Sequence, residues 1–484
     1  MNKLLLFILF PFVFNAQVDI GSLYEELPND SIYPLSTDIH TSLKPFIRTK
    51  NSSASKISYG FGKDTVSKNV YLSPIFDIGT EFDKYSAIKI GIGASITGAF
   101  KNKFYFKLAA IQGYGKSKNK LFQPKSYLFN LNDKNDFSYT DIRGRISYTP
   151  NSIFYFQVGI DQNFIGEGNR SFLLSDYGSP YPFGQIRAKF WKCEYSILYQ
   201  LYRERNNTND WKSKYSTSHY LSINFTKKVN LSLFESVVFA PKDPSIQRGF
   251  DAEYLNPMIF FRPQEYSIGS ADNTFLGAQL TYRYKKSTLY IQGILDDFLL
   301  SEMLAKNGYW ANKYAYQLGI KGRFNKNNAN YFYRIEANVC RPYTYSHVST
   351  DENYGNQGNV LAHPYGSNFE EILAEIKWQK SNWIFKGFLN YFLHGIDKNV
   401  GVSYGGNIYE SYKSHPKEHN NYIGQGVKTN GINLIVSTAY VYDKKTNLQF
   451  FLENHFQGNT YTKLPFYQLV LGIRSCIWND YRNY

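Results

Sequence analysis

The feature that most constrains this chain is an alternation of apolar and polar residues with a period of two, recurring from Ile88 to the last residues. Between 88 and 100, Ile88, Ile90, Ile92, Ala94, Ile96 and Phe100 fall on one side, and Lys89, Gly91, Gly93, Ser95 and Thr97 on the other. Successive strand side chains face opposite sides of a sheet, so each such segment has an oily face and a wet face. The pattern returns in Ile142/Ile146/Tyr148 against Arg143/Arg145/Ser147, and in Leu276/Ala278/Leu280/Tyr282 against Gln279/Thr281/Arg283. It returns again in Tyr314/Tyr316/Leu318/Ile320 against Gln317/Lys321, and in Tyr467/Leu469/Leu471/Ile473 against Gln468/Arg474. Many such segments, rich in tyrosine and phenylalanine, predict an all-β fold, a transmembrane antiparallel β-barrel.

Composition supports the barrel over a helical membrane protein. The mean hydropathy is −0.42, and past the N-terminus no apolar run reaches the roughly 18 residues of a spanning helix. Aromatic residues make up 18% of the chain, with 43 Tyr and 38 Phe, more than a soluble core calls for. Aromatic girdles at two lipid–water boundaries account for the excess. Met1 to Ala16, with Lys3 followed by apolar Leu4 to Phe14, reads as a secretory signal. Cys193, Cys340 and Cys476 form no disulfide framework and are expected as isolated thiols. The formal net charge is +15. Export and the lack of a nucleic-acid motif exclude nucleic acid as the partner. The polyanions left are lipopolysaccharide at the outer-membrane surface and acidic surface polysaccharide, unless the basic residues simply line a lumen and its rims.

Residues 17 to 85 follow no sustained period, contain Pro28, Pro34, Pro45 and Pro74, and are read as a periplasmic lead-in, a possible plug and the first strand or strands. Short helices are expected near Ser22–Leu27 and Ser36–Lys44. The barrel occupies 86 to 484, with polar connections at Gly115–Asp136 and Arg203–Thr217 and a non-periodic insertion at 240–275. Further long connections fall at 296–313, 343–368 and 394–429. Roughly 400 residues at about 22 to 26 per strand and connection give about 16 to 18 strands, with an even count expected.

Four clusters break the alternation. They are Asn163-Phe-Ile-Gly-Glu-Gly-Asn-Arg-Ser-Phe-Leu-Leu-Ser-Asp176, Asn256-Pro-Met-Ile-Phe-Phe-Arg-Pro-Gln-Glu265 with Gly269–Asn273, Asn307–Lys313, and Ala362–Asn368 with Glu370 and Glu371. Arg170 could fork onto a carboxylate or phosphate with Asp176 orienting it, or brace the wall by pairing with a lumenal acid. Arg262, Glu265, Asp272 and Asn273 lie among Phe260, Phe261 and Tyr266. That mixture suits a sugar, whose C–H face packs on a ring while its hydroxyls bond to amides and carboxylates; it also suits an insertion folded back on the wall. Trp310, with Tyr309, Asn307 and Asn312, carries the same two readings. His363 lies near Ser367, but a Pro/Gly turn does not hold a nucleophile–base pair. The eight histidines show no metal-ligand spacing. His363 and Asn368 are therefore read as structural or sugar-contacting, and neither enzymatic activity nor a cofactor is expected.

The phrases FIGEGNRSFLLSD, NPMIFFRPQEYSIGSADNTFLG and AHPYGSNFEE resemble the capsule-assembly Wzi family of outer-membrane barrels, especially its gliding-motility-associated RemB-like branch, over about residues 140 to 380. The resemblance implies eighteen strands, closure on the periplasmic side by a helical element, no through-pore, and extracellular loops that bind surface polysaccharide as a lectin. Three functions follow as expectations: a polysaccharide-anchoring barrel, a gliding accessory working with adhesin-delivery proteins, and, were the lumen unplugged, a diffusion porin.

Overall fold

The computed structural model describes residues 40–45, 69–82, 87–100, 103–117, 123–126, 128–132, 135–205, 211–241, 249–250, 252–258, 272–398, 401–443, 446–461 and 466–475. The signal segment 1–16 and the helix expected at Ser22–Leu27 lie outside them. Eighteen antiparallel strands close into a barrel. In chain order they are β1 Asn69–Phe82, β2 Ala87–Phe100, β3 Phe104–Lys116, β4 Asp136–Tyr148, β5 Phe154–Asp161 and β6 Tyr181–Phe190. Next come β7 Cys193–Arg205, β8 Trp211–Asn224, β9 Val229–Phe239, β10 Asn273–Tyr284, β11 Ser287–Leu295 and β12 Tyr314–Lys326. The wall ends with β13 Ala329–Cys340, β14 Phe369–Lys380, β15 Trp383–Ile396, β16 Val427–Asp443, β17 Leu448–Asn459 and β18 Phe466–Ser475. Each strand pairs with the next, and β1 pairs with β18 to close the wall, Asp77 opposite Arg474 and Phe82 opposite Leu469. A short extra strand, Leu128–Leu131, pairs with β4.

The connections alternate between two rims. Tight turns such as 191–192, 285–286, 327–328 and 381–382 lie on one; 117–135, 162–180, 240–272, 296–313, 341–368 and 397–426 lie on the other. By the usual asymmetry the short-turn rim is periplasmic and the long-loop rim extracellular. Arg203–Thr217, read from sequence as a long loop, is mostly strand. Its polar residues include inward-facing ones such as Lys214, which pairs with Glu204 at 3.2 Å inside the barrel. Polarity there reports a lumen rather than a loop.

The alternation sorts side chains between lipid and lumen. Ile92 (56% exposed), Val158, Leu280, Ile291, Leu318, Ile335 and Ile376 form an outward apolar belt. Tyr148, Trp191, Tyr284, Phe324, Trp383 and Tyr442 ring its periplasmic edge, and Tyr114, Tyr316, Tyr391 and Tyr467 its extracellular edge, all exposed. Many inward residues are polar and paired: Arg143 with Asp141 at 2.8 Å, Arg145 with Asp161 at 2.6 Å, Arg334 with Glu375 at 2.9 Å and Arg474 with Glu453 at 2.7 Å. Part of the basic excess is thus spent inside the barrel. Glycines on β2 and β3 let one ring lie flat on the inner wall: a Cβ at Gly91 or Gly113 would collide with the Tyr139 side chain. Among the described residues no helix is long and apolar enough to cross a membrane.

An eighteen-strand bore is about 35 Å across between backbones, wide enough for a water-filled channel. Here inward-folded loops occupy part of it. Residues 162–180 leave the top of β5 and turn down into the lumen, where Phe172, Leu173 and Leu174 are each 0% exposed. They pack with Leu43, Phe234, Phe275, Tyr345, Tyr354, Leu361 and Phe369 in one cluster. Burying each of those apolar side chains is worth about 2 kcal/mol, so the plug brings its own core. Leu43–Lys44 pairs with Phe164–Ile165 as a small two-stranded sheet. The described end of the segment read as a helix at Ser36–Lys44 is therefore extended. A stretch with no period of its own does not distinguish a short helix from a short strand.

Candidate functional site

The sequence clusters divide between the lumen and the extracellular face. Arg170 lies in the plug, 1% exposed. Its Nε is 3.9 Å from Glu371, and its backbone N–H donates to Glu336 at 3.3 Å. Glu336 also accepts from the Asn169 N–H at 2.8 Å, the Tyr290 hydroxyl at 2.7 Å and the Asn338 amide at 3.0 Å. On the same sector of the wall Phe172 N–H donates to the Gln292 side chain at 2.7 Å, and Lys321 meets Glu167 at 2.7 Å. Burial alone would raise the Glu167 carboxyl, but Lys321 and Lys44 outweigh it and hold the group below the ordinary range.

Inside the 341–368 loop, His363 is fully buried. Its Nε2 faces Glu371 at 2.9 Å and its Nδ1 accepts the Tyr365 N–H at 3.2 Å. Burial lowers the His363 pKa, so the neutral ring, donating from Nε2, suits both contacts. The Ser367 hydroxyl donates to the Gly405 carbonyl at 2.6 Å, so these two residues do not form a nucleophile–base pair. Asn368, at φ 62°, gathers the loop after β15: its amide donates to the carbonyls of Gly395 at 3.1 Å and Gln425 at 2.9 Å, and its oxygen accepts the Gly424 N–H at 2.7 Å. Asp176 is buried beside the plug. Ser175 in the same turn donates to the Ala362 carbonyl at 2.5 Å. At the head of β10, Asp272 accepts the Tyr254 hydroxyl at 2.5 Å, and Asn273 donates to the Glu352 carbonyl at 2.9 Å. Arg262 and Glu265 lie outside the described residues.

Trp310 is different. It is half-buried at the extracellular end, where loops 296–313 and 397–426 join through backbone bonds: Trp310 N–H to Glu418 O at 2.9 Å, Asn420 N–H to Asn307 O at 2.8 Å, and Asn421 N–H to Gly308 O at 2.9 Å. The indole stacks on His415 with ring centres 4.4 Å apart and meets Tyr412 at 5.0 Å. Tyr309 packs on His419 at 5.5 Å. The Trp310 Nε1–H donates to Glu418 at 2.9 Å, and the same carboxylate meets His415 at 3.0 Å. Hydrogen bonding from His415 holds the exposed Glu418 carboxyl below the ordinary range. Below this platform Lys313, fully buried, bridges Asp296 at 2.9 Å and Asp297 at 2.7 Å. Burial would lower the Lys313 pKa, but the two carboxylates outweigh it and hold it up. Its ammonium lies 4.8 Å from the Tyr412 ring centre and donates to the Ser346 carbonyl at 3.3 Å, tying three extracellular loops together.

Sequence reading picked Trp310 but missed Tyr412, His415, Glu418 and His419. The signal was present as an aromatic- and histidine-rich run, Tyr412–His419, inside a connection read only as long. What the platform offers chemically is a set of ring faces and edges flanked by exposed hydrogen-bonding groups. Among the described residues no group of three or more His, Cys, Asp and Glu is placed to hold a metal. Cys193 and Cys340 are free thiols.

No family model matches the chain, and no curated protein does. Among solved structures it is similar to Wzi of Escherichia coli, described as an outer-membrane protein involved in group 1 capsule assembly and a carbohydrate-binding β-barrel. The TM-score is 0.54 at 12% identity, covering 83% of each chain. It is also similar to OprD of Pseudomonas aeruginosa, at TM-score 0.42 and 10% identity, over 83% of this chain and 94% of that one. OpdK of the same organism gives TM-score 0.44 at 9% identity, over 84% and 98%. The comparisons support a Wzi-like fold and do not reach the RemB-like branch. At such identities the likeness is one of architecture: an eighteen-stranded transmembrane barrel of the outer-membrane kind.

Proposed function

We propose that this protein is a non-enzymatic outer-membrane barrel that holds surface polysaccharide at its extracellular face, on the platform built around Trp310. The observation that carries the reading is the joining of two long loops, from either side of β13 and β14, into one aromatic surface edged by Glu418 and His419. Rings with adjacent amides and carboxylates are what a pyranose needs. The inward-folded loops support binding over permeation, because Phe172 to Leu174 and their partners occupy space that a diffusion porin keeps for water. Carbohydrate binding by the similarly folded Wzi barrel points the same way.

The test compares cell-attached with shed polysaccharide in a strain lacking this gene, complemented with wild type or Trp310→Ala. Shedding that wild type corrects and the variant does not, with both proteins equally abundant and equally heat-modifiable on gels, is the expected result. Unchanged attachment in the deletion strain would overturn the reading.

A further inference from the structure

The lipid belt has a gap. Across β7 to β9 the outward side chains are absent from the exposed large apolar residues, apart from Trp211 at the extracellular start of β8. Thr217, His219 and Glu235 stand there instead, each 0% exposed. Their outward direction follows from their neighbours: Ser218 bonds to Gln200 and Tyr220 to Ser42, both in the lumen, and Phe234 belongs to the plug cluster. A carboxylate and an imidazole on a membrane-facing wall are costly unless something covers them.

Part of the cover is the segment that follows β9. Tyr254, fully buried, packs on Phe239 at 4.7 Å, and Phe250 meets Tyr215 and Phe239 at 5.3 and 5.5 Å. These rings stand over the outward face, with Val237 in the same cluster. The wall itself reaches out to the segment's backbone: the Tyr199 hydroxyl donates to the Leu255 carbonyl at 3.2 Å and the Tyr195 hydroxyl to the Pro257 carbonyl at 2.7 Å. The same Tyr195 hydroxyl meets His219 Nδ1, so the carbonyl it holds lies beside His219, partway down the wall. The chain has thus come down the outside of the wall from the extracellular end, within the height spanned by the belt.

Irregular backbone at such depth survives only with its polar groups satisfied. That condition is met at several points. Ala252–Leu255 is a 3-10 turn, Asn256 N–H donates to Glu253 O at 3.2 Å, the Asn256 side chain accepts the Met258 N–H at 3.0 Å, and the two tyrosine hydroxyls take carbonyls. The outer side of the same turn shows Leu255 (50% exposed) and Met258 (71% exposed), continuing the belt formed by Leu280, Ile291 and Leu318 on the neighbouring strands.

We infer that the described residues 249–250 and 252–258 form a lipid-contact strap: they present Phe250, Leu255 and Met258 to acyl chains while insulating Thr217, His219 and Glu235 on the wall behind them. Glu253, the one charged side chain among the described strap residues, is exposed on the same turn.

The test uses the full chain refolded into dimyristoylphosphatidylcholine vesicles, carrying a nitroxide at Leu255→Cys or Met258→Cys with Cys193→Ser and Cys476→Ser; the buried Cys340 is left in place. Collision rates with oxygen, which partitions into acyl chains, and with a water-soluble nickel chelate are compared with labels at Leu280→Cys in the belt and Tyr422→Cys in an extracellular loop. An oxygen-to-nickel ratio matching Leu280 and several-fold above Tyr422 is expected. A ratio like that at Tyr422, or protection from both reagents as beneath a partner protein, would overturn the inference. Heat-modifiable mobility selects folded protein. Should Leu255→Cys fail that check, Met258→Cys carries the measurement.

Discussion

Replacing Glu336 with alanine should release the plug while leaving the wall closed. The carboxylate accepts from Asn169 N–H, Arg170 N–H, Tyr290 Oη and Asn338 Nδ2 at 2.8, 3.3, 2.7 and 3.0 Å, and two of these donors are plug backbone. A buried donor left without a partner costs about 1–3 kcal/mol. Water entering the vacated space recovers part of the loss, so the plug should lose roughly 3–5 kcal/mol, similar to breaking a buried charged contact. At about 1.4 kcal/mol per decade, amide exchange should accelerate by roughly a hundred- to several thousand-fold. Hydrogen exchange read by mass spectrometry on peptides covering 163–176 tests this, with β15 to β18 as the internal control. Glu336→Gln keeps a neutral acceptor and should lose only about 1–2 kcal/mol, near a tenfold acceleration. Unchanged exchange in 163–176 would refute the anchoring role. Equal acceleration in plug and wall would refute separate opening, showing that the two unfold as one unit.

Three further outcomes are expected. Trp310→Ala should weaken binding of the purified protein to the producing strain's polysaccharide about tenfold, roughly the 1–1.5 kcal/mol of one lost ring contact, measured by calorimetry with heat-modifiability unchanged. Gly113→Val should force the Tyr139 ring off the inner wall, an overpacking cost of about 1–3 kcal/mol, seen as a lower temperature for loss of the compact band on gels. Burial lowers the His363 pKa and takes that of His40 down to about 3, so the unfolded chain binds more protons below the ordinary value of 6.5. Stability from these two groups is therefore full above pH 6.5 and falls with pH below it, by up to about 1.4 kcal/mol per unit for each group. Thermal unfolding from pH 7 to 5 should show that fall, and His363→Asn should flatten it.

The wall was legible in sequence because its physics is local. Over most of the wall, outward residues meet lipid and inward residues meet polar groups, so burial follows position along a single strand. Ile88, Ile90 and Ile92 and their polar neighbours needed no partner to be sorted. Arg203–Thr217 shows the limit of that logic: a strand facing a polar lumen with few apolar outward residues resembles a loop. The strap at 249–250 and 252–258 explains why apolar outward residues were missing on this sector, since another part of the chain stands where lipid would.

The sequence by itself determined a barrel of outer-membrane type, its approximate strand number and the clusters that interrupt it, because period and composition are read one residue at a time. Only the tertiary structure decided what those clusters do. FIGEGNRSFLLSD is the plug, AHPYGSN the clamp on a neighbouring loop, and Trp310 faces outward because residues 307–310 pair with 418–421 more than a hundred positions away. Long loops carry no period, so their fold is set by contacts such as Asn169 with Glu336 or Trp310 with His415. Those contacts exist only once the wall has closed and brought distant strands to a common lumen and rim.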